Sequence, residues 1–375
     1  MKKIFFCIPT LGKGGAERVI TNLANHFTDK GLFEVFILCK PEGEYLALLN
    51  EKIKIYNISK NIRFIPHFIS STYLIFKYCQ LIKPDILLST LPTSNIKCAI
   101  VKKITKCKFK FIAREANIVF KSSLNRLFKS PKQFAINATY KMSYLCADSI
   151  IANSKDTKDS IINCYNIHEK KIRILPNPVF SSDIYKMAKE KTNDDILNST
   201  FILAVGRLVD QKGFDTLIKS FALVLEKGIK VDLVILGDGP LLNDLKNLSI
   251  ELKIEDKVHF KGFVQNLYPY YKNCTLFVLT SRFEGFGNVI IEALAFGKPI
   301  VSTKCAGGPL YILQNGENAL LASIDNTKEI SEALVSILTG VTKFDPKKQE
   351  ERAFYFSIDT VANNYHNFIN EVQYK

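Results

Sequence analysis

The chain has 375 residues, 47% of them hydrophobic, more than a single core accommodates, so two domains of ordinary size are expected. Its nine cysteines are scattered and never form Cys-x-x-Cys, which argues against a disulfide framework or a zinc site and for a reducing cytoplasm. The formal net charge of +15 belongs to the first half: residues 1–180 carry 29 basic and 12 acidic side chains (+17), residues 181–375 carry 22 and 24 (−2).

In chain order, residues 2–9 have too short an apolar core for a signal sequence and run into Gly12 and Gly14, so they read as a buried strand. A helix follows with Val19, Ile20, Leu23, Ala24 and Phe27 on one face, then a strand at 35–38, which together are βαβ grammar. The longest apolar stretch, 64–82, is interrupted by Pro66, His67 and Lys77 and is not expected to span a membrane. Further short apolar runs at 86–88, 109–112, 150–152 and 172–175 complete a parallel sheet. Leu175-Pro176-Asn177-Pro178 favours an extended connection, and the polar residues after it mark a domain boundary. The pattern restarts with strands at 201–205, 231–236, 258–260, 276–279 and 300–302, and helices fit at 214–225, 241–252, 288–296 and about 360–372.

Residues 97–132 hold 11 basic residues and one acid, Glu115, with Phe109, Phe111, Phe120 and Phe128 interleaved. Such a run is either a solvated face or a surface for anionic lipid. Nucleic acid is not expected, because no helix-turn-helix, zinc or RNA-binding signature accompanies the charge.

The chemistry concentrates in Ser281-Arg282-Phe283-Glu284-Gly285-Phe286-Gly287-Asn288-Val289-Ile290-Ile291-Glu292, between a predicted strand and a predicted helix. Open α/β sheets bind ligands at the carboxyl ends of their strands. Gly285 and Gly287 allow a close backbone approach, and the amides opening the helix suit a phosphate. Glu284 and Glu292 would flank that phosphate and accept hydrogen bonds from a sugar on one side and a ribose on the other.

This run resembles the Glu-x7-Glu signature of the family 4-like retaining glycosyltransferases of GT-B fold. The resemblance extends to Gly12-Lys13-Gly14-Gly15-Ala16-Glu17-Arg18, Gly206-Arg207-Leu208-Val209-Asp210-Gln211-Lys212-Gly213, Gly237-Asp238-Gly239-Pro240 and Ser302-Thr303-Lys304-Cys305-Ala306-Gly307-Gly308-Pro309. It implies two Rossmann-like doubly wound parallel-sheet α/β domains facing a central cleft. We place them at 1–182 for the acceptor and 183–358 for the nucleotide sugar, with a C-terminal helix at 359–375 packing back on the first domain.

For single residues the resemblance implies that Arg207 and Lys212 bind the donor diphosphate, Glu284 the hydroxyls of the transferred sugar and Glu292 the ribose. The amides of Phe286, Gly287, Asn288 and Val289 would hold the phosphates, Gly285 would belong to the same donor-binding loop, and Gly14 and Gly15 would close on the diphosphate from the first domain. Arg207, Lys212 and Glu284 are the catalytic candidates. Arg18 and Glu115 are given to the acceptor or left unassigned; Ala116 stands where many relatives carry a histidine after that glutamate, and Glu115 could bind acceptor or donor hydroxyls. Glu115 could equally be a salt-bridged loop residue.

No histidine has partners at metal spacing and no Asp-x-Asp occurs, so no metal or other cofactor is expected. The expected reaction moves a hexose or N-acetylhexosamine, with retention, from a UDP-sugar to a polyprenyl-diphosphate-linked or lipopolysaccharide-type saccharide. It would take place at the inner face of the plasma membrane. The alternatives are a UDP-sugar epimerase of the same shape and a non-catalytic polyanion-binding protein.

Overall fold

In the computed structural model, residues 1–12, 14–60, 65–118, 131–190, 192 and 194–374 are described. The chain forms two compact units, Met1–Val179 with Ile358–Lys375, and Phe180–Ser357. The polypeptide therefore crosses from one unit to the other twice, at Val179/Phe180 and at Ser357/Ile358.

The first unit is built on strands β1 (Lys3–Cys7), β2 (Glu34–Cys39), β3 (Lys54–Asn57), β4 (Ile86–Thr90), β5 (Lys110–Glu115), β6 (Ser149–Ala152) and β7 (Ile172–Ile174). They pair in parallel in the order β3-β2-β1-β4-β5-β6-β7. The intervening helices are α1 (Gly15–Asp29), α2 (His67–Ile82), α3 (Pro92–Ile104), α4 (Pro131–Cys146) and α5 (Lys155–Tyr165). Successive strand side chains point to opposite faces, and both faces are covered. Ile4, Phe6, Ile37 and Leu88 pack with Val19, Leu23 and Phe27 of α1. Phe5, Cys7, Leu38 and Leu87 pack on the other side with Ile75 of α2 and Cys98 of α3. β3 was not anticipated, because Lys-Ile-Tyr-Asn is too short and too polar at an edge to stand out as a strand.

The second unit repeats the plan with β8 (Phe201–Val205), β9 (Asp232–Leu236), β10 (Val258–Gly262), β11 (Leu276–Leu279), β12 (Ile300–Thr303) and β13 (Leu320–Ala322), ordered β10-β9-β8-β11-β12-β13. Its helices are α6 (Ile184–Met187), α7 (Phe214–Glu226), α8 (Leu242–Glu251), α9 (Tyr268–Asn273), α10 (Asn288–Ala295), α11 (Pro309–Ile312), α12 (Thr327–Leu338) and α13 (Pro346–Phe354). Three-residue β13 also escaped the sequence pattern.

Helix α14 (Ile358–Tyr374) belongs to the first unit and packs against α1. Val361, Ala362, Tyr365 and Ile369 enter the α1-side core with no exposed surface. Burying aliphatic side chains the size of Val361 and Ile369 contributes roughly 1.5–3 kcal/mol each, enough to hold a terminal helix in place. Among the described residues no helix is long and apolar enough to cross a membrane.

In both sheets the strand order reverses direction beside the first strand, at β1/β4 and at β8/β11. Loops leaving two such strands at their carboxyl ends diverge and leave a crevice, which is where ligands of doubly wound sheets bind.

Candidate active site

The β8 loop (206–213) and the β11 loop (280–287) meet at the second unit's switch point. The Lys212 ammonium lies 2.5 Å from Glu284 Oε1, which also accepts a 2.7 Å hydrogen bond from Ser281 Oγ. The Lys212 and Glu284 side chains are only 18% and 7% exposed, so the pair is largely withdrawn from water. Attraction between charges strengthens there, and losing either partner is costly.

Two glycines make this approach possible. Gly213, at φ +61°, lies so near Thr280 that a Cβ would stand 2.3 Å from its carbonyl oxygen, and Thr280 Oγ1 in turn donates to the Lys212 carbonyl at 3.1 Å. Gly307, at φ +123°, follows β12, and a Cβ there would stand 2.0 Å from Glu284 O. The Glu284 amide donates to Ala306 O at 3.0 Å in the same contact. Bare backbone at these points lets three loops stack at the sheet edge.

Arg282 ties the loops together, and sequence reasoning gave it no role. Its Nη1 donates to the Asp210 carbonyl at 2.5 Å, its Nη2 to Asp215 Oδ2 at 2.8 Å and its Nε to Asp325 Oδ2 at 3.1 Å. A planar fork can make these bonds simultaneously where an ammonium cannot. Burial acts to raise the Asp215 carboxyl, but the hydrogen bond and charge of Arg282 hold it below the ordinary aspartate range. The same bond to Asp215, foremost, raises the guanidinium's own pKa. The Gln211 amide completes the seam by donating to Phe283 O at 2.9 Å. The signal was in the sequence, since Arg282 adjoins the motif and Asp210 and Asp215 flank Lys212, but only the fold shows that they meet.

The other residues expected here fall in distinct places. Gly287, at φ +93°, precedes α10, and no side chain caps that helix, so Asn288 and Val289 open it next to Glu284. Phe286 is buried, packed edge-on against Phe356. Glu292 is 1% exposed, with its Oε2 3.0 Å from the Tyr271 hydroxyl on α9. Tyr271 stacks in turn on Phe296. Arg207 is exposed and has no ion pair among the described residues.

In the first unit Gly14 precedes α1 in ordinary extended backbone (φ −83°), and Gly15 is the first residue of that helix. Lys13 lies outside the described residues. The Glu17 carboxyl folds over Gly14, and burial raises its pKa against the pull of its own backbone hydrogen bond and of Arg114. Arg18 Nη2 donates to Val179 O at 3.0 Å and Asn22 Nδ2 to Pro178 O at 2.9 Å, so α1 grips the connection just before the chain crosses.

Glu115 ends β5 and is 2% exposed. Its Oε2 accepts from the Tyr144 hydroxyl at 2.6 Å and its Oε1 from the amides of Ala116 and Asn117 at 3.0 and 3.2 Å. It ends a strand instead of lying in a loop, and it forms no ion pair among the described residues; burial raises its pKa, opposed by those hydrogen bonds and by Arg114.

The basic run needs a correction. Arg114 is wholly buried and donates to Thr90 Oγ1, Asn177 Oδ1 and Tyr365 OH at 3.1, 2.5 and 3.2 Å, so it joins β4, β5, the connection and α14 rather than facing a partner. Phe109 and Phe111 are core residues, because β5 is covered on both faces. Phe120 and Phe128 lie outside the described residues.

Comparison with known proteins shows the family and the fold. The profile of the Glycosyltransferase Family 4 matches residues 13–181, and that of the Glycosyl transferases group 1 matches residues 187–353. The N-acetylgalactosamine-N,N'-diacetylbacillosaminyl-diphospho-undecaprenol 4-alpha-N-acetylgalactosaminyltransferase of Campylobacter jejuni is 31% identical over 97% of this chain and 98% of its own. The chain belongs to the family 4 and group 1 glycosyltransferases. This glycosyltransferase is also 25% identical, over 94% of each chain, to the lipopolysaccharide core biosynthesis glycosyltransferase LpsE of Rhizobium meliloti. Its GT-B fold is that of Anabaena HepE, solved in complex with UDP and glucose (TM-score 0.80, 20% identity, 99% and 100% of the two chains). The lipopolysaccharide outer core galactosyltransferase WaaB shares it too (TM-score 0.75, 23% identity, 99% of each chain). Among the described residues no group of His, Cys, Asp and Glu side chains is placed to hold a metal ion.

Proposed function

We propose that this glycosyltransferase takes a hexose or N-acetylhexosamine from a UDP-sugar and adds it, with retention and without a metal, to a saccharide carried on a polyprenyl diphosphate or a lipopolysaccharide. The observation that carries this reading is the withdrawn Lys212–Glu284 pair beside the uncapped start of α10. An ammonium has three donors, and Glu284 engages one, so Lys212 can keep the carboxylate and still reach a donor phosphate. Glu284 then orients the sugar through its hydroxyls, Arg207 approaches the diphosphate from the rim, and the helix start adds partial positive charge.

In the reaction the bond from the anomeric carbon to the β-phosphate oxygen breaks, and the acceptor oxygen bonds to that carbon on the same face. The acceptor proton passes to the departing phosphate oxygen. Charge grows on the diphosphate throughout, so fixed cations aimed at it do the catalytic work. UDP is favoured by the complex of HepE, and a diphosphate-linked lipid acceptor by the name of the Campylobacter relative. The charge of the first half supports work beside an anionic membrane.

Screening nucleotides and UDP-sugars for thermal stabilisation tests the donor, because a ligand bound only by the folded protein raises the melting temperature. UDP and one UDP-sugar should stabilise, and transfer should survive EDTA with the anomeric configuration kept. Stabilisation by GDP instead of UDP, loss of transfer in EDTA, or an inverted product would each refute the corresponding part.

A further inference from the structure

A cavity of about 470 Å³ opens in the first unit at the carboxyl ends of β1, β2 and β3, and none of the roles above uses it. Thr10 follows β1, Lys40 follows β2, Ser59 follows β3, His67 and Ser71 lie on the first turns of α2, and Lys97 comes from α3. Among the described residues its lining carries two lysines and no carboxylate. Lys40 pairs with Glu42, but both side chains are about half exposed, and a pair so placed in water exchanges readily for a stronger anion. Lys97 has no ion pair with any described residue, and burial lowers its pKa. A cation that has lost water without gaining a carboxylate is stabilised by an incoming anion. Ser59 Oγ and His67 Nε2 lie 2.9 Å apart at the same rim, and Thr10 supplies a further hydroxyl.

The second observation concerns what borders this cavity. Ile65, Phe68, Ile69 and Tyr73 are 41–56% exposed. Ile69 and Tyr73, four apart on α2, share one side of that helix, and Ile65 lies just before its start. The Lys97 ammonium lies 5.5 Å from the Phe68 ring centroid, so the apolar face and the cationic cavity adjoin. A cationic hollow beside an exposed apolar stripe matches a molecule with a phosphorylated head and a hydrocarbon tail.

We propose that this cavity holds the diphosphate of the lipid-linked acceptor, with Lys97 and Lys40 as counter-charges and the Ile65, Phe68, Ile69 and Tyr73 face covering the first units of the chain. The inference rests on reading the acceptor as a lipid diphosphate and names the place that recognises it.

Calorimetric titration of the full chain with farnesyl diphosphate, inorganic pyrophosphate and farnesol tests it without requiring turnover. Farnesyl diphosphate should bind more tightly than pyrophosphate, and farnesol weakly. Lys40→Gln with Lys97→Gln should weaken farnesyl diphosphate by about ten- to a hundred-fold, from the loss of two charge-assisted contacts. Ile69→Ser with Tyr73→Ser should bring farnesyl diphosphate down to the affinity of pyrophosphate while leaving pyrophosphate unchanged. All four positions are at least partly exposed, and melting temperatures equal to that of the parent would certify the fold. Equal affinity for the two diphosphates in the parent chain, or isotherms indifferent to the lysine substitutions, would overturn the proposal. UDP binding on the same preparations reads the second unit alone, so a failure of the donor reading shows there and not in the lipid titration.

Discussion

At the ends of β8 and β11 a lysine and a glutamate pair at 2.5 Å beside an uncapped helix. At the corresponding ends of β1, β4 and β5 the strongest polar groups, Arg114 and Glu115, are engaged with hydroxyls, an amide oxygen and backbone amides inside the unit. Two sheets of the same order thus direct their polar groups differently. In the second unit they are aligned by a rim of ion pairs at the loops that leave β8 and β11. In the first they fasten the connection and α14 to the sheet, and the candidate ligand groups move outward to the lysines near β2 and β3. Equal topology fixes where loops emerge, while the side chains decide whether those loops hold a ligand or the chain itself.

Substitutions can break this contrast. Lys212→Ala should reduce transfer by about 10²–10³, some 3–4 kcal/mol of transition-state stabilisation, while a cooperative melt is retained; steady-state kinetics with unchanged kcat would remove Lys212 from the site. Arg114→Met should leave the Thr90, Asn177 and Tyr365 groups buried without their donor and lower stability by about 3 kcal/mol. Urea unfolding would show it, and UDP stabilisation of the second unit should persist.

Arg282→Lys sharpens the comparison, because it keeps the charge but not the fork. It should cost about 1–2 kcal/mol of stability and raise the donor KM, since the Lys212 and Glu284 loops lose their tie. A shifted melting temperature with an unaltered donor KM would make Arg282 purely a fold residue.

The smallest effect concerns Glu115, whose folded-state pKa stands above the ordinary 4.5 because of burial. Between 4.5 and that raised value the unfolded chain has released the proton and the folded chain has not. Stability therefore falls as pH rises through this window. Glu115→Gln should flatten that fall, still accepting the Tyr144 hydrogen bond, and melting temperatures measured from pH 4 upward in the two proteins would reveal the difference in slope.

Much of this was legible in residue order. Apolar runs alternating with helical patterns gave both sheets, since buried parallel strands must be apolar on both faces, and the Glu-x7-Glu run marked the loop where the second sheet reverses. The polar edge strand β3 was not legible, because its pairing with β2 and not its own composition makes it a strand. The strand at 109–112 was legible, but composition misled about its side chains: Arg114, Phe109 and Phe111, counted with a basic, aromatic surface run, are buried.

The order of residues by itself determined two doubly wound units, the concentration of positive charge in the first and the loop that carries Glu284, because these follow from hydrophobic period, charge and glycine spacing. Tertiary structure alone decided that Lys212 faces Glu284, that Arg282 gathers three aspartates, that Arg114 is interior and that Lys40 and Lys97 share a cavity. These are contacts between segments tens of residues apart, and only chain packing brings such segments within hydrogen-bonding range.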